Sequence, residues 1–153
     1  MPKRSAGLLL YRSDRAGEVE VLLVHPGGPY WMRKDDGAWS IPKGEVAADE
    51  NPLAAARREF EEETGTPPPS GEVIELGEAR QAGGKVVIAF AVSGEFDPGT
   101  IRSNTFEMEW PPRSGSRAVF PEIDRAAWFG PEAAKDKLVP GQRVLVDRLL
   151  ERL

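Results

Sequence analysis

The chain contains no cysteine, which removes disulfides, thiolate metal ligands and a cysteine nucleophile together. It has a single histidine, His25, so a zinc centre built from several imidazoles is excluded, and there is no HExxH pair. A Ser/His/acid triad would need that one histidine, and no GxSxG turn accompanies it. His25 directly follows an apolar run and reads as a structural histidine with satisfied hydrogen bonds. No apolar stretch approaches the ~20 residues that span a bilayer. The one near the start, Ala6 to Leu10, is too short for a secretory leader, so a cytoplasmic protein without membrane contact is expected. Positive charge is scarce as well: 20 Lys and Arg stand against 25 Asp and Glu, a formal charge of −5. The broad basic surface that duplex nucleic acid requires is missing.

What is present suits an ordinary globular protein. A chain of 153 residues, 40% hydrophobic and 29% charged, can bury one sizeable core, so a single domain over 1–153 is expected. Ser5 to Arg12 and Val19 to Val24 are short apolar runs bounded by turn residues and read as neighbouring buried strands. A loop rich in Gly, Trp and charge follows, then a brief strand at Ala38-Trp39-Ser40-Ile41. Val73 to Gln81 and Val86 to Val92, split by Gly83-Gly84, form a hairpin pattern. Thr105 to Trp110 alternates, with Phe106, Met108 and Trp110 on one face, Pro111 to Ser116 reads as loop, and Ala126 to Phe129 as a short strand. Pro140 to Leu153 reads as a closing helix with Val144, Leu145, Leu149 and Leu153 on its apolar side. Strands and helices mix, so the fold class is α/β, a sandwich.

The clearest helix runs from Pro52 to Thr64. Asn51 can cap it, Pro52 suits the first helical position, Gly65 suits a left-handed end, and Pro67-Pro68-Pro69 prevents continuation. At 100° per residue, Leu53, Ala56, Phe60 and Thr64 share an arc of roughly 80° and face the core. Glu59, Glu62 and Glu63, at i, i+3 and i+4, put three carboxylates on the adjoining face. Each like-charged pair costs about 0.2–0.5 kcal/mol, and carboxylates in the last turn oppose the helix dipole at about 0.3–1 kcal/mol each. A cation relieves both penalties, and hard oxygens suit Mg²⁺ or Mn²⁺. From the pattern alone two readings stand, a solvated acidic face and a cation-holding one.

The wider segment resembles the Nudix box: Gly44, then Glu50, then Arg58-Glu59-Phe60-Glu61-Glu62-Glu63-Thr64-Gly65 at the family's spacing. The one departure is Thr66, where an aliphatic residue is usual. Ala38 to Glu45 and Pro121-Glu122 to Trp128-Phe129 also look like the family. The resemblance implies a Nudix α/β/α sandwich with a mixed central sheet and a loop–helix–loop box. It implies Mg²⁺-dependent hydrolysis (Mn²⁺ as substitute) of a diphosphate linkage in a nucleotide derivative by metal-activated water. Glu59, Glu62, Glu63 and the backbone carbonyl of Lys43 would be metal ligands. Arg58, Glu59 and Glu122 are the catalytic candidates, with Arg58 pairing to Glu62 and Glu109 second to Glu122. Gly44, Glu50 and Gly65 would be structural within the motif. Lys43 and Lys85 are candidates for phosphate contact, and Trp39, with Tyr30 and Trp31, for stacking on a base. Val24 to Pro29 and Phe106 to Pro112 further resemble a bacterial group of predicted nucleoside-triphosphate pyrophosphohydrolases, near dinucleoside-polyphosphate hydrolases. The expected partner is a small-molecule nucleotide, not duplex nucleic acid, and the expected assembly a monomer or homodimer. The alternative to an enzyme is a nucleotide-sensing module of the same fold.

Overall fold

A computed structural model of the protein describes residues 4–153. Met1 to Lys3 lie outside the described residues. The elements in chain order are β1 (Arg4–Ser13), β2 (Val19–Pro26), β3 (Lys43–Glu45), α1 (Pro52–Thr64), β4 (Val73–Arg80), β5 (Val86–Ser93), β6 (Thr105–Glu109), β7 (Arg117–Pro121), β8 (Ile123–Phe129), α2 (Pro131–Lys137) and α3 (Arg143–Arg152).

β1 lies inside the sheet, whose order is β4-β5-β1-β2-β8, with β3 added on β1. It runs parallel to β5 over eight register pairs, Arg4↔Val86 to Tyr11↔Ser93. A strand covered on both faces needs apolar residues at consecutive positions, and Leu8, Leu9 and Leu10 are all fully buried. Alternation then sorts them. Leu8, Leu10 and Leu22 pack with Ala55, Ala56 and Phe60 of α1, while Leu9, Val21 and Leu23 pack with Leu145, Val146 and Leu149 of α3. Helices thus cover both faces of a mixed sheet, the expected sandwich. Phe60 anchors the α1 side, 1% exposed and edge-on to Phe96 at 6.2 Å between ring centroids. Phe60→Ala is expected to cost about 3–5 kcal/mol of stability, measurable by chemical denaturation.

The other edge of β1 is shared, and this places the site. Near its end β1 pairs with β2 (Tyr11↔Val21 to Ser13↔Val19). Near its start it pairs with β3 (Ser5↔Glu45 to Gly7↔Lys43). The segment from Trp39 to Lys43 fills the gap between the diverging strands, with Leu8 N–H donating to the Pro42 carbonyl at 3.0 Å. Gly7 permits this close passage, since a β-carbon there would come within 2.6 Å of Ile41.

Several expectations shift. Ala38 to Ile41 is not a strand: it makes only isolated bridges, Val24↔Ser40 and Trp39↔Leu138, and the strand proper is β3. β6 pairs with β7 in a separate two-stranded hairpin, and β7 and the seven-residue α2 are additions to the expected elements, although Pro131, Glu132, Lys135 and Lys137 mark the ends of α2. The closing helix starts with a 3-10 turn, Pro140–Gln142. Its buried stripe is Leu145, Val146 and Leu149, whereas Val144 and Leu153 are exposed. The β4–β5 hairpin forms as expected, with Gly83 and Gly84 at φ of +81° and +78° in its turn. Among the described residues no helix is long and apolar enough to cross a membrane.

Candidate active site

The site grows from the N-terminal cap of α1. The Asn51 side-chain oxygen accepts from Leu53 N–H (2.9 Å) and Ala54 N–H (3.2 Å), Pro52 opens the helix, and Gly65 ends it at φ +84° with its N–H on the Glu61 carbonyl. The ends being set, Glu59 and Glu63 face the loop that carries β3, while Glu62 pairs with Arg58 and borders Arg102 to Asn104. The Glu59 carboxylate lies directly on Gly44, where a β-carbon would overlap it, so this approach requires glycine. The Lys43 backbone N–H donates to Glu63 Oε1 at 3.2 Å.

Arg58 organises the acidic groups. Its Nε and Nη2 form a fork on the two Glu50 oxygens, both at 2.9 Å. Nη1 donates to Glu59 Oε1 at 2.8 Å and reaches Glu62 at 3.2 Å, and Nη2 also donates to the Glu45 carbonyl. The i+4 partner read from helix spacing is therefore present but the longest of the three ion pairs. The loop folds back to bring Glu50 closer. The donors of Arg58 are thus committed to three carboxylates and one backbone carbonyl. The Arg58 hydrogen bonds, aided by Ala47 N–H, hold the Glu50 carboxyl down to about 2, and Glu50 in turn raises the Arg58 guanidinium.

The glutamates facing inward shift the other way. Burial raises Glu59, an effect larger than the opposing hydrogen bond from Arg58, and the charges of Glu62 and Glu122 add to it. Burial pushes Glu63 up to about 8; Lys43 opposes this, and Glu59 and Glu122 reinforce it. Carboxylates that raise one another's pKa across a shared space are what a cation would neutralise. Among the described residues, however, no three of them converge closely enough to enclose an ion, because Arg58 bridges Glu59 and Glu62 while Glu63 turns to Lys43. The donor set is all hard oxygen and fits Mg²⁺ or Mn²⁺. Holding the ion requires side-chain rotation away from these pairings.

Glu122 enters from the corner between β7 and the edge strand β8. Asn104 N–H donates to the Glu62 carbonyl at 3.0 Å, Glu122 N–H to the Asn104 carbonyl at 2.9 Å, and Gly27 N–H to the Glu122 carbonyl at 2.8 Å. This relay of backbone bonds ties the β7–β8 corner to the end of α1. A cavity of about 280 Å³ is lined by Lys43, Glu63, Lys85 and Glu122. The structure thus gathers two candidate lysines and two candidate carboxylates around one space. Glu109 is not among its lining residues. It accepts from Arg113 N–H at the tip of the β6–β7 hairpin.

Trp39 corrects an expectation. It is 4% exposed, meets His25 and Phe129 edge-on at 5.1 and 5.0 Å, carries Arg125 over its ring and donates Nε1–H to Asp35. It is a core residue rather than an open stacking platform. His25 is buried as expected, with Nδ1 at 2.8 Å from Asp124 and Nε2 at 2.6 Å from the Lys34 carbonyl. Gln142, which the sequence reading passed over, is fully buried at the start of α3. Its side chain accepts from Ile41 N–H and donates to Ser40 Oγ and Gln81, bracing the segment that leads into Lys43. A polar residue on the apolar side of the closing segment was the available signal.

A family model described as the NUDIX domain matches residues 1–149. The chain belongs to the Nudix family. Among curated proteins it is 36% identical over 58 residues to the RNA pyrophosphohydrolase of Hahella chejuensis, covering 37% of this chain and 36% of that one. It spans about a third of the length of the curated relatives it matches. Among solved structures it is similar to the Ap4A hydrolase of C. elegans in a binary complex, with TM-score 0.65, 21% identity, and 98% and 96% of the two chains covered. It is equally similar in fold to the NUDIX domain of Shewanella oneidensis NrtR complexed with ADP ribose, with TM-score 0.65, 15% identity, and 99% and 88% covered. At these identities the structural likeness establishes the fold of this Nudix domain.

Proposed function

We propose that this Nudix protein hydrolyses a diphosphate linkage in a nucleotide, a nucleoside triphosphate or a dinucleoside polyphosphate. The observation that carries the reading is the gathering of Glu63 and Glu122 with Lys43 and Lys85 around one cavity, above a carboxylate face organised by Arg58. Glu59, Glu62 and Glu63, with the Lys43 carbonyl, would hold the divalent cation. When bound, the cation neutralises phosphate charge and makes a water acidic enough to serve as nucleophile at neutral pH.

The residues of the chain supply the rest. Lys43 and Lys85 bring positive charge to an otherwise acidic site and hold phosphate oxygens. Glu122, fixed through its backbone on both sides, accepts a proton from the attacking water. Arg58 holds Glu50 and Glu59 in place and keeps the face from repelling itself apart. Gly44 lets the Glu59 carboxylate lie against backbone.

The test is a panel of nucleoside triphosphates, dinucleoside polyphosphates and a sugar-linked nucleoside diphosphate, incubated with Mg²⁺ and assayed for phosphate products. Turnover of at least one member that vanishes with chelator is the expected result. Tight nucleotide and metal binding without turnover would overturn the enzyme reading in favour of a sensing module.

A further inference from the structure

His25, the one histidine of the chain, is fully buried near the end of β2. The mechanism above makes no use of it. Both of its ring nitrogens face acceptors: Asp124 Oδ1 at 2.8 Å from Nδ1, and the Lys34 carbonyl at 2.6 Å from Nε2. A carboxylate and a carbonyl can only accept, so each nitrogen must donate, whereas a neutral imidazole carries a single N–H. The hydrogen bonding therefore describes an imidazolium on the Asp124 carboxylate, a pair with no net charge to bury. Arg125 Nη1 lies 3.8 Å from the other Asp124 oxygen, and Trp39 meets the imidazole edge-on at 5.1 Å.

Each partner belongs to a segment that lines the carboxylate–lysine cavity. In the pairing of β2 with β8, His25 stands opposite Arg125 and Pro26 opposite Ile123, so Asp124 is the extra residue of a β-bulge. A bulge bends its strand and re-aims the residues beside it. Two positions before it stands Glu122, whose carbonyl accepts from Gly27 N–H at 2.8 Å. The chain passes so tightly here that a β-carbon on Gly27 would overlap the Pro121 carbonyl. On the other nitrogen, Lys34 ends the turn after β2, its N–H donating to the Trp31 carbonyl at 2.9 Å. Trp31 lines the same cavity as Glu122. One imidazole thus ties together two cavity walls that are far apart in sequence.

We propose that His25 is a positioning residue for Glu122: bonded through both ring nitrogens, it locks the bulge at Asp124 to the turn at Lys34 and so fixes the corner that carries the Glu122 carboxylate to the cavity. The inference rests on the hydrolase reading, in which Glu122 accepts a proton, and adds to it what holds that group in place. A buried ion pair contributes little stability beyond that of apolar side chains of similar size, so its contribution here is geometric. Misplacing a reacting group by about 1 Å costs on the order of 10²-fold in rate, which is reason enough for a two-sided clamp.

With a single histidine, ¹⁵N-histidine labelling reports one imidazole, and at neutral pH its spectrum should show a solvent-protected proton on each ring nitrogen. Asp124→Ala is expected to speed hydrogen exchange of the Gly27 amide by at least about tenfold. It should also lower kcat about 10–100-fold while KM stays within about twofold. Asp124→Asn should recover most of both, because its amide can turn and donate to Nδ1, and its spectrum should then lack the Nδ1 proton. Asp124 is 21% exposed and asparagine is of the same shape, so at least that variant folds. In a Glu122→Gln background the kcat loss from Asp124→Ala should vanish, since the two residues act as one unit. A wild-type imidazole with one proton, unchanged Gly27 exchange in Asp124→Ala, or an undiminished kcat loss in the Glu122→Gln background would each overturn the assignment. If the spectra and the exchange are as expected but no member of the substrate panel is turned over, the clamp on Glu122 stands and the hydrolase reading falls.

Discussion

Glu63→Gln is expected to lower turnover by at least about 10²-fold while leaving the metal-free protein as stable as wild type, or more stable, at neutral pH. The two effects have one origin. Burial, which outweighs the nearby Lys43, pushes the Glu63 carboxyl up to about 8, so the folded, metal-free chain keeps it protonated where the unfolded chain would not. Between the ordinary glutamate value near 4.5 and about 8, the folded state binds more protons than the unfolded one, and stability falls as pH rises. A glutamine is neutral at every pH and its amide oxygen can still accept the Lys43 N–H, so the variant should lose that slope. Activity responds oppositely, since removing a preorganised charged group from an active site costs on the order of 10²–10³-fold. The check is a pair of measurements: Mg²⁺-dependent turnover, and melting temperature in chelator between pH 5 and 9. Near wild-type turnover would remove Glu63 from the ligand set.

The same group ties metal affinity to pH. A ligand must be deprotonated to hold a cation, so Mg²⁺ binding to the wild type should strengthen as pH rises toward about 8 and release a proton below it. Glu50 behaves in the opposite sense. Held down to about 2 by Arg58, it contributes stability that is complete above the ordinary glutamate value and is lost only as pH falls toward 2. The two carboxyls therefore titrate in separate windows.

Arg58→Ala should produce the second large effect. The guanidinium bonds Glu50, Glu59 and Glu62 at once, and the Glu50 and Glu59 side chains are largely sheltered. Stranding them costs about 1–3 kcal/mol, toward the lower end because Arg58 itself is 38% exposed and partly screened by solvent. The loss in activity is expected to be about 10–100-fold, as for residues that orient metal ligands, and to fall on kcat and on metal affinity more than on KM. Arg58→Lys tests positioning against charge. A lysine supplies one point charge without the fork, so it should restore stability better than activity. Full recovery of both would show that charge alone is what the site needs.

How much of this could be read from the chain follows the range of the forces involved. The helix over Pro52–Thr64, its caps and most of its buried stripe depend on neighbours three or four residues apart and appear where the spacing puts them, with Ala55 buried in addition and Leu53 only partly so. Asn51, Pro52 and Gly65 set the helix ends by local backbone chemistry. The β4–β5 hairpin likewise follows from Gly83 and Gly84. The family pattern carried Gly44 and Glu50 to the helix although neither lies on it.

Tertiary structure decided what distance in sequence hides. Whether Trp39 packs or stacks depends on His25 and Phe129, which no local pattern places beside it. Glu50 displaces Glu62 as the principal partner of Arg58 because the loop folds back, and an exposed i+4 pair is weaker than a two-pronged one. Glu122 reaches the site through backbone bonds to Asn104 and Gly27, and Phe106 meets Gly28 and Phe120 only because the chain folds β6 against β7 and the turn after β2. Chemistry confined to one helix was written locally in this sequence. The pocket that would choose a substrate is assembled from segments as far apart as Pro26 and Glu122, and only the folded chain brings them together.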